Sequence, residues 1–218
     1  MRATTYRQVL TGIILAGGKA GRIKGRDKAF LKIGKDRLID IQLRSLKKIF
    51  SRQAILNEGG IPPEAGKRII VVTNSPQGYK NLKGVKLVSD IIPDIGPLGG
   101  IYSGLLASKS FYNFVIACDM PYINLSLIKY MYKKARGYDV VVPEVNHRYE
   151  PLFGIYSKNC LEIIKESLSK KNFKIRKFFP KIKLKVVSKK EILRFGHPEQ
   201  LFMNINTQRE LSLIQPDR

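Results

Sequence analysis

Short apolar runs and helical patterns alternate along this chain. Apolar runs at 12–15, 68–73, 85–88, 114–118, 139–142, 152–156 and 184–187 are bounded by turn-forming or charged residues and predict strands. Between them, apolar positions recurring at helical spacing predict helices over 37–50, 98–108, 125–135, 158–168, 189–193 and 208–214. Alternation of this kind implies an α/β domain with a mostly parallel sheet flanked by helices. Asn124 stands where an N-cap is wanted, and Thr207 with Glu210 has capping-box spacing. Two stretches interrupt the pattern. Residues 51–67, with NEGGIPPEAGK among them, predict a surface loop longer than such connections usually are. Residues 143–151 join two apolar strands through polar residues, as a hairpin or an active-site flap. No repeat or low-complexity linker divides residues 1–218, so a single domain is predicted, with 1–8 as an extra N-terminal segment.

The first strand runs into IILAGGKAGRIKGRDK, at 13–28. Glycines at a strand end let the backbone approach a ligand closely, because no Cβ stands in the way. Arg22, Lys24, Arg26 and Lys28 then place four cations within seven residues of those amides. Backbone donors beside concentrated positive charge suit a polyphosphate. The glycines match neither the P-loop spacing nor GxGxxG, and a solvated basic loop is the plainer alternative.

Composition narrows the classes. The chain has 218 residues, 44% of them hydrophobic, enough for a substantial core. No apolar run reaches the length of a membrane span, and the start MRATTYRQVLTG lacks the features of a signal peptide. Cys118 and Cys160 are too few for a disulfide framework and agree with a reducing cytoplasm. The charge is the unusual feature: 40 Lys and Arg against 17 Asp and Glu, a formal +23. Such an excess raises nucleic acid as a partner, but it also suits small anionic substrates. Residues 157–194 carry thirteen cations and three carboxylates with apolar residues between them, as solvated amphipathic faces do. The spacing of Phe173, Phe178 and Phe179 suits core packing at least as well as base stacking.

Other candidates stand at strand ends, where open α/β sheets bind ligands. Asp119 follows FVIAC and is placed to hold Mg²⁺, which prefers hard oxygen ligands; an aspartate there could equally cap a turn. Asp90 ends VKLVS before IIPDIGPLGGI, where Gly96, Gly99 and Gly100 around Pro97 predict a tight turn into a helix. Asn74 ends IIVVT and offers both donor and acceptor. Both residue types also favour turns. His147 and His197, the only histidines, pair with no obvious carboxylate.

In order along the chain, LAGGKAGRIKGRDK, VTN, Asp90 with GPLGGI, CDMP and a late NINT at 204–207 resemble the motifs of the molybdenum cofactor guanylyltransferases. That resemblance implies a Rossmann-like sheet of the nucleotidyltransferase type. It also implies transfer of GMP from GTP to the phosphate of molybdopterin, with release of pyrophosphate. It assigns Leu15, Ala16, Gly17, Gly18, Lys28, Asn74, Asp90, Gly99 and Asp119 to the nucleotide. It assigns Arg22, Lys28 and Asp119 to catalysis, Asp119 to Mg²⁺, and Asn204 and Asn206 to the pterin side. Its implied partners are GTP, molybdopterin or the molybdenum cofactor, and molybdoenzymes or cofactor-delivery proteins in the cytoplasm, with no specific nucleic acid and no membrane. The chain departs from the pattern at Ile23-Lys24, where Met-Gly is usual, and at Gln208, where proline is usual. Many nucleotide-sugar relatives carry a second metal-binding aspartate where Asn204 and Asn206 stand. Three alternatives remain: a pterin cytidylyltransferase or sugar-phosphate nucleotidyltransferase on the same scaffold, a nucleic-acid-binding module, and a non-catalytic binding protein.

Overall fold

Adjacent isoleucines show how this sheet is filled. Ile13 and Ile14 are both fully buried, yet the two-residue period of a strand sends them to opposite faces and into two separate cores. A strand covered on both faces must be apolar throughout, which is why it reads as a continuous run. The computed structural model describes residues 10–16, 22–23, 26–49, 68–92, 95–206 and 210. The segments 1–8 and 51–67, Gly17, Gly18, Lys24, Thr207, Gln208 and all of the helix predicted over 208–214 except Glu210 lie outside the described residues.

Strands β1 (Leu10–Leu15), β2 (Ile69–Val72), β3 (Lys86–Val88) and β4 (Tyr112–Ala117) run parallel in the order β3-β2-β1-β4. The strand order reverses beside β1, and in such sheets the ligand crevice lies at the carboxyl ends of the two strands involved, here β1 and β4. Beyond β4 the pairing changes. Strands β5 (Val140–Val145) and β6 (Arg148–Tyr149) form a hairpin, and β7 (Phe153–Ser157) runs antiparallel to both β4 and β5. Strand β8 (Leu184–Val187) joins β5 in parallel. The result is a mixed, mostly parallel sheet. The 143–151 connection is therefore a hairpin. Its turn residues Asn146 and His147 have φ of 50° and 60°, as a two-residue turn matched to strand twist requires.

Helices α1 (Leu38–Ile49) and α3 (Leu125–Lys133) cover one face, with Leu43, Leu46, Leu127 and Met131 against Ile14, Val71 and Ile116. Helices α2 (Pro97–Ala107) and α4 (Cys160–Ser169) cover the other, with Ile101, Leu105 and Ile164 against Ile13, Val72 and Val115. Two short helices, α5 (Lys189–Ile192) and α6 (Pro198–Leu201), follow β8. Asn124 does cap α3, its Oδ1 accepting the Leu127 N–H at 2.9 Å. Two-residue ribbons at Arg22–Ile23 with Arg26–Asp27, and Lys32–Ile33 with Asp36–Arg37, form between β1 and α1. They and α6 are too short to leave a periodic trace in the sequence. Among the described residues no helix is long and apolar enough to cross a membrane.

Candidate active site

After β1 the chain returns through the first ribbon, which ends at Asp27 and passes into a single 3-10 turn, Lys28–Phe30. Asp27 caps this turn through Oδ1, which accepts the Ala29 N–H at 3.0 Å. Lys28 opens it, and its side chain does not reach solvent: the residue is 4% exposed. Its Nζ donates to Asp119 Oδ2 at 3.2 Å and to Asn206 Oδ1 at 2.9 Å. Three segments far apart in sequence thus meet at one ammonium group.

Asp119 stands just beyond β4, in a turn held from two sides. Gln42 of α1, fully buried, donates its Nε2 to the carbonyls of Ala117 and Met120, each at 2.8 Å. The Asp119 carbonyl accepts the Ile205 N–H at 2.9 Å, which docks the NINT segment onto the turn. Asp119 Oδ2 faces Lys28, whereas Oδ1 is buried with no hydrogen-bond partner among the described residues. A buried carboxylate oxygen without a donor is costly unless a ligand satisfies it. A hard anionic oxygen next to a phosphate-seeking ammonium suits Mg²⁺ bridged to phosphates. Among the described residues no cluster of three or more His, Cys, Asp or Glu could hold a metal by itself. Asn206 spends its carbonyl oxygen on Lys28. A cation here would therefore draw most of its ligands from phosphate and water.

Leu15, Ala16, Asn74 and Asp90 stand at or just past the carboxyl ends of β1, β2 and β3. The Leu15 carbonyl accepts the Cys118 N–H at 3.0 Å, and the Ala16 N–H donates to the Val72 carbonyl at 2.8 Å. Asn74, just past β2, is exposed, and its side chain makes no hydrogen bond among the described residues. Asp90 is tied down: its Oδ1 accepts from Ser103 Oγ at 2.8 Å and from the Ile92 N–H at 3.3 Å. Burial pushes its carboxyl above the usual range, with Ser103 and Ile92 opposing. Asn204 donates to the Phe202 carbonyl at 3.3 Å and does not join the group around Lys28. Arg22 contributes backbone to the first ribbon, and Gly17 and Gly18 lie outside the described residues.

One expectation needs correcting. The tight turn before α2 belongs to Gly96 alone, with φ of 85°. Gly99 and Gly100 lie inside the first turns of the helix, which starts at Pro97, one residue before the predicted bound, as a proline at N1 allows. A Cβ at Gly99 would stand 2.8 Å from the Ile95 side chain and 3.1 Å from the Ile92 carbonyl oxygen. Gly99 is thus required where the loop folds back on the helix.

The described contacts join Lys28, Asp119 and Asn206, and leave Asn74 and Asp90 beyond neighbouring strand ends and Gly99 in the first turn of α2. Gln42 was not legible as a site residue. Its only signal is a polar residue on the apolar face of α1, between Ile39 and Leu46. Phe178 and Phe179 are buried and so unavailable for base stacking. Most cations of 157–194 are exposed.

Sheet and site agree with a nucleotidyltransferase, and the chain belongs to the MobA-like NTP transferase family, whose domain matches residues 12–185. A protein of Pelotomaculum thermopropionicum named "Probable molybdenum cofactor guanylyltransferase" is 35% identical over 201 residues, 92% of this chain and 89% of its own. One of Desulfosudis oleivorans, named molybdenum cofactor guanylyltransferase, is 33% identical over 204 residues, 93% of this chain and 92% of its own. In fold the chain is similar to molybdopterin-guanine dinucleotide biosynthesis protein A of Archaeoglobus fulgidus (TM-score 0.73, 18% identity, 94% and 95% of the two chains). It is also similar in fold to 2-C-methyl-D-erythritol 4-phosphate cytidylyltransferase of Thermus thermophilus (TM-score 0.61, 14% identity, 94% and 96%).

Proposed function

We propose that this chain transfers GMP from GTP to the terminal phosphate of molybdopterin and releases pyrophosphate, forming the guanine dinucleotide cofactor. The carrying observation is the buried Lys28 facing Asp119, whose second oxygen lacks a donor among the described residues, at the β1/β4 crevice. The names of the curated relatives support the guanylyl branch.

In this reading a phosphate oxygen of the pterin attacks the α-phosphorus of GTP, and the bond to the bridging oxygen of the β-phosphate breaks. A phosphate monoester is largely dianionic near neutral pH, its second pKa lying near ~6, so no general base is needed. That fits the histidines: His147 is exposed in the hairpin turn and His197 precedes α6. Catalysis is then positioning plus stabilisation of charge on the phosphate oxygens. Lys28 faces the α-phosphate, while Arg22 and the amides of Gly17 and Gly18 hold the β- and γ-groups. Asp119 is the residue to hold Mg²⁺, which when bound neutralises phosphate charge. Leu15, Ala16, Asn74, Asp90 and Gly99 receive the nucleoside, and Asn204 and Asn206 face the pterin. Two buried free cysteines accord with a cytoplasmic setting.

The test is pyrophosphate release with each of GTP, CTP, ATP and UTP, with Mg²⁺, with and without molybdopterin. Release should require GTP and molybdopterin together. Two buried mismatches at about 1–3 kcal/mol each predict roughly a hundredfold preference over CTP. Asn74→Ala should erode that preference more than maximal turnover. Equal use of GTP and CTP would overturn guanylyl specificity, and no release with any nucleotide would overturn the reaction.

A further inference from the structure

Asp27 stands beside Lys28 in the glycine loop's DK pair, yet the proposed reaction gives it no part. Both its oxygens are engaged: Oδ1 by the Ala29 N–H at 3.0 Å, and Oδ2 by the Tyr79 hydroxyl, which donates at 2.5 Å. We infer that Tyr79 is a positioning residue for Lys28, acting through Asp27. The inference rests on the reading that Lys28 meets the phosphates.

Three observations carry it. Tyr79 is 1% exposed and its ring lies 4.6 Å from that of Phe30, the last residue of the turn that Lys28 opens. That packing needs a ring but no hydroxyl, so the oxygen has a separate use. With both carboxylate oxygens fixed, Asp27 sets the backbone from which Lys28 emerges toward Asp119 and Asn206. Finally, Tyr79 ends the Pro76–Tyr79 turn, which follows Asn74 closely. The tether therefore links the strand end proposed for the base to the lysine proposed for the α-phosphate. Burial, then the neighbouring Asp27, push the Tyr79 hydroxyl far above its usual range, so it remains a donor at any assay pH.

A tether and a merely structural hydroxyl differ in how they combine with loss of Lys28. Pyrophosphate release is measured on the full chain, with molybdopterin and the nucleotide the wild type uses best, for Tyr79→Phe, Lys28→Met and the double variant, with melting curves for each. Tyr79→Phe should lower kcat about tenfold, as a sub-ångström misplacement does, with KM for the nucleotide within about twofold. In the Lys28→Met background it should change kcat by less than about twofold, because the residue it positions is gone. Asp27→Asn should stay within about threefold of wild type, since its oxygen can keep Ala29 and its amide can donate to the Tyr79 oxygen. Asp27→Ala should lose at least as much as Tyr79→Phe, and this pair carries the test should Tyr79→Phe fail to fold. Wild-type kcat in Tyr79→Phe, the same fold-loss with and without Lys28, or equal losses in Asp27→Asn and Asp27→Ala would overturn the inference. Wild-type kcat in Lys28→Met would instead refute the lysine's role at the phosphate, whatever Tyr79→Phe does.

Discussion

Two groups of lysine and carboxylate in this molecule have opposite characters. On the far surface, Glu166 accepts from Lys170 at 2.7 Å and Lys181 at 2.9 Å, with all three side chains between 44% and 67% exposed. Those two ammonium groups hold the Glu166 carboxyl down to about 2. In the crevice, Lys28 lies farther from Asp119, at 3.2 Å, but the side chains are only 5% and 20% exposed. Distance alone would rank the surface cluster first. Solvent screening and the entropy of long side chains reverse the order. A buried pair is in turn a weak source of stability, because desolvating two charges offsets their attraction. In the proposed reaction the pair of Lys28 and Asp119 then serves the phosphates and is no fastening. Most cations among the described residues are exposed, whereas the lysine of the proposed reaction is buried.

Breaking the buried pair should have the largest consequence. Asp119→Asn keeps the shape but removes the charge, so turnover should fall by orders of magnitude while the circular dichroism spectrum stays native; near-normal turnover at limiting Mg²⁺ would contradict this. Gln42→Leu should come next, since it leaves the Ala117 and Met120 carbonyls without their shared donor. Denaturant titration should show a loss of about 1–3 kcal/mol, with turnover falling as the Asp119 turn loosens. Glu191 offers a smaller effect that follows pH. Burial opposes its charged form, but hydrogen bonds from Tyr130, Ser188 and Lys134 prevail and hold it down to about 2. A depressed carboxyl contributes stability above its unfolded pKa and loses it as pH falls through the folded value. Wild type should thus melt above Glu191→Gln from neutrality down to about pH 4.5, and the gap should close toward about pH 2. Glu166→Gln should have the smallest effect, with melting temperature and turnover at neutral pH indistinguishable from wild type. A large loss there would show that exposed pairs matter in this protein after all.

The strands and long helices were legible because each carries an unmixed period. What periodicity does not encode is direction: Phe153–Ser157 reads like any other apolar run, and only the preceding hairpin turns it antiparallel. The turn read around Pro97 shrinks to Gly96, because Pro97 itself can start the helix. Lys28 and Asp119 were legible through ordered motifs, although their contact spans 91 positions and no local pattern predicts it. Gln42 and Tyr79 were not. Each looks ordinary in its own segment, and its contact exists only through a residue brought near by folding.

In the proposed reaction the crevice joins guanylate to a pterin phosphate. Its most direct test is the mass of the product formed from molybdopterin and an equimolar mixture of GTP and CTP with Mg²⁺. The guanine dinucleotide should be the dominant product with wild type, and Asp119→Asn should give no dinucleotide above the blank. A cytosine dinucleotide in equal or greater yield, or full product from Asp119→Asn, would contradict it.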